Sequence, residues 1–229
     1  VRNTVIISLL KLVFSFPFPI ILALLLNEIY NVKFKKVVQT IIYMPHFISW
    51  VIIGGILLNF LSLNYGVVNK IIMLLGGEPV YFMGVKEYFR PLLVITNIWK
   101  VAGWESIIYI AALSGINPEL YEAAIVDGAN RWKQMRYITL PSILPTIIIM
   151  LILALSRVLY AGFDQVFVLL NPLVYEYGDI IDTFVYRYGL QKGRYSYATA
   201  VGLFQSFVGL MFVLGADRLA KLFGEDGII

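Results

Sequence analysis

Residues 119–141 read ELYEAAIVDGANRWKQMRYITLP, a long polar stretch between strongly apolar ones, and the order of its residues decides the fold around it. Asn117-Pro118 stands where the N-cap and the first residue of a helix belong, and good helix formers continue to Val126. Asp127-Gly128 then breaks the helix and turns the chain sharply. A second short helix follows, and Pro141 either ends it or opens the next apolar segment. The stretch therefore predicts two helices joined by a glycine turn.

The composition around this stretch is that of an integral membrane protein. Of 229 residues, 60% are hydrophobic and 14% are charged, whereas roughly 25% are charged in a soluble domain. The length suits one polytopic domain over residues 1–229. The predicted fold class is therefore an all-α membrane protein, a polytopic helical bundle.

Five stretches are apolar and long enough to cross a membrane, which takes about 20 helical residues. They are Thr4–Leu26, Thr40–Leu63, Pro91–Ile116, Ser142–Leu170 and Ala198–Phe223. The chain enters the first of them almost at once after Val1. We therefore expect one further span upstream, which makes six in the full protein. Residues 67–75 are apolar and end at a glycine pair, so we expect a short interfacial helix there.

Ionisable residues lie within or near these spans, namely Lys11, Lys100, Glu105, Arg157 and Asp164. Such groups are costly in a bilayer, so they face a bundle interior or a wet cavity and have a partner. For Lys100 and Arg157 two interpretations stay open, an ion pair that holds helices together or a contact with substrate. Lys11 is expected to be structural and to snorkel to the outer surface.

Aromatic residues on the third and fourth spans indicate a substrate class. They are Trp99, Trp104, Tyr109, Tyr160 and Phe163. Aromatic rings stack on the C–H faces of sugars, while neighbouring polar groups bind hydroxyls and carboxylates. The combination suits a carbohydrate.

Other classes of site find little support in the sequence. Cysteine is absent, which excludes disulfides and thiolate metal sites, and the single histidine, His46, is expected to be structural. The chain has no GxxxxGK[ST] loop, so we expect that it does not hydrolyse ATP itself, and we expect no cofactor or metal to be bound by this chain. No run of Lys and Arg indicates nucleic acid, and no catalytic cluster indicates an enzyme.

The spacing within the central stretch carries a resemblance to a known family. Glu122-Ala123-Ala124, three residues, Gly128, nine residues, Ile138, one residue and Leu140-Pro141 fill seven fixed positions. This pattern resembles the EAA loop of binding-protein-dependent ABC importer permeases of the MetI-like type. The resemblance implies that residues 117–141 form a cytoplasmic coupling loop that docks on an ATPase subunit. The coupling residues are then Glu122, Ala123, Ala124, Asp127, Gly128, Ile138, Leu140 and Pro141.

The remainder of the chain is similar to the carbohydrate branch of these permeases, and to LplB-like polysaccharide and oligosaccharide permeases in particular. The similarity extends from RNTVIISL and PIILALLLNE through TIIYMPHFISW to the last span. Carrying the sugar contacts of the maltose permease across implies contacts at Lys100, Val101 and Trp104 in the third span and at Ala154, Arg157, Val158 and Ala161 in the fourth. Together with the charged Glu105 and the aromatic Tyr160 on the same spans, the expected substrate pathway is Lys100, Trp104, Glu105, Arg157 and Tyr160. Lys100 and Arg157 are basic where the maltose permease is neutral. The resulting hypothesis is an acidic oligosaccharide of the uronate type.

The resemblance implies a permease subunit of an ATP-driven importer in the bacterial cytoplasmic membrane. The implied partners are a second permease, ATPase subunits that bind ATP and Mg²⁺, and an extracytoplasmic solute-binding protein. A cytoplasmic coupling loop also places residues 27–39 inside, where three lysines agree weakly with the positive-inside rule. The alternative is a stand-alone secondary transporter or channel in which Lys100, Glu105 and Arg157 relay ions or protons.

Overall fold

Helices follow one another along the part of the chain that the computed structural model describes, residues 1–222 without the side chains of residues 219, 220 and 222. The α-helices are α1 Arg2–Ser15, α2 Pro17–Asn27, α3 Val32–Tyr43, α4 Trp50–Phe60, α5 Val67–Leu74, α6 Lys86–Ser114, α7 Pro118–Val126, α8 Arg131–Gln134, α9 Leu140–Ser156, α10 Phe163–Leu169, α11 Tyr175–Gly178, α12 Ile181–Val185 and α13 Tyr195–Leu222. The predicted all-α class is confirmed.

Three continuous helical stretches among the described residues are long and apolar enough to cross a membrane. They are Arg2–Asn27, Arg131–Ser156 and Tyr195–Arg218. The pair Val32–Phe47 and Trp50–Phe60, bent by 97°, forms a fourth if it counts as one span. The third predicted span falls on α6, whose 29 residues are long enough to cross, but whose polar side chains lower its hydropathy.

The second predicted span, Thr40–Leu63, is wrong as a single straight helix. Pro45 lies in a 3₁₀ turn that ends the first part, and Ser49 starts α4 by accepting a hydrogen bond from the Ile52 N–H at 3.3 Å. Proline and a new N-cap separated by a few residues end one helix and begin another in a different direction. The span therefore breaks near the middle of its length.

The fourth predicted span, Ser142–Leu170, is displaced. Its helix begins at Arg131 and ends at Ser156, and the chain is then irregular up to Gly162, whose φ is +92°. A π-helical turn over Met135–Thr139 precedes Pro141, and such a widened turn accommodates a proline inside a helix. Pro141 therefore lies in the first turn of α9 and does not end the continuous helical stretch Arg131–Ser156. The end of the fifth predicted span, Phe223, lies outside the described residues, as do residues 224–229 of the predicted domain.

The bundle is organised around α6, which packs against α1, α2, α3 and α9. One apolar cluster lies at its N-terminal end, around Phe89 and Leu93, and another at its C-terminal end, around Tyr109 and Leu113. Between them Gly103 meets α3 so closely that an added Cβ would clash with the carbonyl oxygen of Ile42. The absence of a side chain lets the two backbones approach there.

The outer loops are held by specific hydrogen bonds. The fully buried Asn69 of α5 donates to the carbonyls of Ser62 at 3.0 Å and Val80 at 2.9 Å. Asp179 and Arg187 form an ion pair at 2.7 Å, and the hydrogen bond that Arg187 donates to the Asp179 carboxylate raises the pKa of Arg187. The short helix predicted over residues 67–75 is confirmed as α5.

Candidate coupling loop and transport pathway

The first helix of the loop, α7, begins as its sequence predicts. The Asn117 side chain accepts a hydrogen bond from the Glu119 N–H at 3.0 Å, and Pro118 occupies the first helical position. An asparagine N-cap satisfies one of the free N–H groups of the first turn, and proline has no N–H to leave unsatisfied. Residues 117 and 118 therefore determine where α7 begins after the end of α6.

The glycine turn is a Schellman motif. The Ala129 N–H donates to the Ala124 carbonyl at 2.8 Å, and the Gly128 N–H donates to the Ile125 carbonyl at 3.0 Å. Gly128 has a φ of +73°, and a Cβ there would meet open space. The left-handed backbone requires glycine here, because a residue with an L side chain is strained at such a φ. Neighbouring atoms do not require it, since they leave room for a side chain.

The second helix of the loop is continuous with the next span. Asn130 caps it by accepting from the Lys133 N–H at 2.9 Å. The Tyr121 hydroxyl of α7 lies 3.0 Å from the Thr139 hydroxyl, which ties the two arms of the loop together. Arg131 pairs with Glu28 at 3.1 Å, which ties the loop to the end of α2. The loop is thus joined to the bundle by its two flanking helices and by these two side-chain contacts.

The outer surface of α7 is not covered by any part of the chain that the structure describes. Leu120 is 49% exposed, Ile125 62% and Val126 87%, and Glu122 and Ala123 are exposed as well. Contiguous exposed apolar residues around a charged one indicate a protein interaction site. Ile138 and Leu140 are half-buried and belong, with Pro141, to the root of the loop inside the long helix Arg131–Ser156.

A polar cavity of about 160 Å³ lies between α1, α6 and the C-terminal end of α9. Its polar lining consists of Ser8, Lys11, Ser15, Asn97, Glu105 and Arg157, together with Tyr160. Three of the five predicted pathway residues are therefore brought together here. Among the described residues, no ion pair within 4.0 Å includes Glu105 or Arg157. These charges remain open to a ligand.

A second cavity, of about 320 Å³, continues from the first towards the coupling loop. The two share Phe16, Glu105, Ala154 and Arg157, and the second extends along α6 to Tyr109. Since α6 runs on into the loop, Glu105 and Arg157 lie at the junction of an outer and an inner chamber.

Lys100 is placed apart from both cavities. Only 8% of it is exposed, and its ammonium donates to the carbonyls of Pro45 at 3.3 Å and His46 at 2.7 Å, and also to that of Ile48. It also lies 5.5 Å from the centre of the Trp50 ring. Carbonyls at a helix end lack intrahelical partners and attract a cation. Of the two interpretations left open for Lys100, the structure favours the structural one. Lys100 holds the helices through backbone carbonyls, and not through the ion pair that the sequence suggests.

Trp104 is also outside the two cavities. The residue is 41% exposed, and its ring stacks on that of His46 with 4.6 Å between the ring centres. His46 therefore packs as a structural residue beside the break between α3 and α4.

The expectation that Lys11 snorkels outward is wrong. Its ammonium is turned into the bundle, where it donates to the Ala161 carbonyl at 2.7 Å and the Gln165 side-chain oxygen at 2.5 Å. A signal for this was present in the sequence, because Ser8, Lys11 and Ser15 recur at helical spacing on one polar face.

Membrane-crossing helices around a polar cavity, with an exposed loop rooted in two of them, define a transport permease. The chain belongs to the family of binding-protein-dependent transport system inner membrane components, which it matches over residues 15–224. It is thus a non-enzymatic, multi-pass component of the bacterial inner membrane, and the predicted family, class and location are confirmed.

Its relatives are oligosaccharide permeases. It is 48% identical to Protein LplB of Bacillus subtilis, over 99% of this chain and 71% of that protein. It is 49% identical, with the same coverage, to the polygalacturonan/rhamnogalacturonan transport system permease protein YteP of Bacillus subtilis. A crystal structure of a bacterial alginate ABC transporter, in complex with an alginate pentasaccharide-bound periplasmic protein, matches with a TM-score of 0.95. The identity is 47%, over 100% of this chain and 79% of that one. These comparisons support the importer over a stand-alone transporter or channel.

Proposed function

We propose that this chain is one of two permease subunits of an importer for acidic oligosaccharides, driven by separate ATPase subunits and fed by an extracytoplasmic binding protein. The observation that carries the proposal is the connection between site and loop. Glu105 lies on α6 and Arg157 at the end of α9, and these are the helices that enter and leave the exposed loop of residues 117–141. ATP and Mg²⁺ are held by the ATPase partner, and this chain binds no cofactor.

The exposure of two charged residues on the membrane-spanning helices supports the presence of a second permease subunit. Both Glu105 and Arg157 are exposed when this chain stands alone. Ionisable groups at membrane depth face a bundle interior or a water-filled cavity, not lipid. A second, similar subunit facing α6 and α9 would complete the wall of the pathway and shield both groups.

The acidic substrate is favoured by the charges in the cavity and by the relatives. Lys11 and Arg157 bring two positive charges against the one negative charge of Glu105. Alginate and polygalacturonan, which are named for the related transporters, are both polymers of uronic acids. A carboxylate on each sugar unit offsets the excess positive charge, and Tyr160 offers a ring for stacking.

The mechanism follows from the rigid connections of the loop. When the ATPase pair closes, it moves α7, and the Schellman turn and the Tyr121–Thr139 contact transmit that motion to α6 and the helix Arg131–Ser156. Rocking of these helices opens the outer and inner chambers in turn, which is alternating access by rigid-body motion.

The docking of the loop is tested by co-purification with the ATPase. Glu122→Arg reverses an exposed charge on α7 whose side chain makes no hydrogen bond or ion pair with the residues that the structure describes. We therefore expect retention of the ATPase to fall by about tenfold or more. Glu78→Arg, an exposed glutamate on the outer loop, is the matched control and retains it. If the ATPase is never retained while this protein alone moves solute in vesicles, the importer is refuted in favour of a secondary transporter.

The substrate charge is tested with Arg157→Gln in the complete importer. We expect uptake of a galacturonate trisaccharide to fall about tenfold relative to uptake of the same trisaccharide with its carboxylates reduced to alcohols, because one charge-assisted hydrogen bond is lost. Arg218→Gln removes an exposed arginine from the end of α13 and leaves the ratio unchanged. Equal losses for both sugars in Arg157→Gln contradict the acidic pathway.

A further inference from the structure

We propose that the polar face of α1 formed by Ser8, Lys11 and Ser15 is a carboxylate-binding subsite of the outer chamber, in which Lys11 binds the acid group of the sugar. This inference rests on the acidic substrate proposed above. It assigns a residue on a helix that the sequence did not connect with the substrate.

The first argument is the uncompensated charge of Lys11. Its two hydrogen-bond acceptors, the Ala161 carbonyl and the Gln165 side-chain amide oxygen, are both neutral. In the described part of the chain no carboxylate lies within 4.0 Å of the ammonium. An ammonium has three donors and prefers an anionic partner, so one donor and the full charge remain for a ligand.

The second argument is independent of charge. Ser8 is 8% exposed and Ser15 is 6% exposed, yet neither hydroxyl has a hydrogen-bond partner among the described residues. Buried hydroxyls are almost always paired, so two unpaired ones on the same face require an explanation. Both residues line the chamber that contains Lys11, so a ligand that enters it is the candidate partner for these two hydroxyls.

The third argument connects the subsite with Arg157. Both acceptors of Lys11 belong to the segment in which α9 has ended and α10 begins, on either side of Gly162. Arg157 stands at the start of that same segment. Lys11 and Arg157 also line the same chamber, so a carboxylate bound to Lys11 lies in the chamber that Arg157 faces.

The test measures uptake into proteoliposomes that contain the complete importer and its binding protein. The two probes are the galacturonate trisaccharide and its carboxyl-reduced counterpart, and rates are taken per assembled complex. In Lys11→Gln, which keeps a donor for the Ala161 carbonyl and removes the charge, the ratio of acidic to neutral uptake falls about tenfold. Lys11→Arg keeps the positive charge, so the ratio of acidic to neutral uptake stays at the wild-type value. The preference of the binding protein itself cancels between wild type and variant.

Lys100→Gln is the matched control, because Lys100 also donates to backbone carbonyls but lies outside the chamber. It lowers uptake of both sugars equally. If Lys11→Gln does not assemble, Lys11→Met, of similar length, is measured in the same way. A wild-type ratio in the charge-free variant overturns the subsite while leaving the acidic substrate intact. A wild-type importer that moves neither sugar, or only the neutral one, refutes the proposed substrate and the subsite with it.

Discussion

Gly128→Trp is expected to abolish coupled transport while the protein still inserts into the membrane. The left-handed backbone at a φ of +73° costs an L residue roughly 1–2 kcal/mol, so the Schellman turn changes and with it the angle between the two arms of the loop. The large side chain also projects from the exposed surface that we propose as the ATPase docking site. We expect ATP hydrolysis to continue and substrate uptake to fall by about tenfold or more, because misplacing a coupling contact by ~1 Å is enough for a large loss.

The control for this experiment is Gly193→Trp. Gly193 also has a positive φ, +68°, and open space around its Cα, but it lies on the outer loop before α13. Gly193→Trp introduces the same backbone strain as Gly128→Trp, but at a position outside the coupling loop. It therefore leaves the ratio of transport to ATP hydrolysis unchanged. Gly128→Asn is the milder variant, since asparagine tolerates the left-handed conformation. Normal coupled transport by Gly128→Trp would contradict the coupling role of the loop.

Lys100→Met is expected to destabilise the subunit by ~3 kcal/mol or more, because the carbonyls of Pro45, His46 and Ile48 lose a charged donor at once. The 97° bend between Val32–Phe47 and Trp50–Phe60 then loses the hydrogen bonds that stabilise it. The measurement is the thermal unfolding midpoint of the purified complex in detergent, together with its yield. Uptake of acidic and neutral sugars per assembled complex falls to the same extent, because Lys100 does not line the cavities.

Lys70→Met is the matched control, since Lys70 is exposed on α5. It leaves the midpoint unchanged. A Lys100→Met subunit of unchanged stability that loses only acidic uptake would return Lys100 to the substrate pathway, where the sequence had placed it.

The behaviour of Lys100 and Lys11 shows where sequence reasoning succeeds and where it stops. Both were recognised as costly intramembrane cations that require a partner. Their partners are oxygens remote in the chain, those of residues 45, 46 and 48 for Lys100 and those of residues 161 and 165 for Lys11. Since no local pattern encodes such pairings, the sequence alone assigns Lys100 to the pathway and Lys11 to the outer surface. In the structure Lys100 is buried outside both cavities, and Lys11 lines the first of them.

The helical class, the membrane location, the glycine turn at Gly128 and the caps of α7 follow from the amino-acid order alone. They depend on interactions within a few residues, namely local backbone preference, capping and the transfer of apolar runs into lipid. The bend at Pro45–Ser49, the passage of Pro141 through a continuous helix and the meeting of Lys11, Glu105 and Arg157 around one chamber were decided only by the tertiary structure. These features require helices distant in sequence to pack on α6, and the geometry of that packing determines which buried polar groups meet.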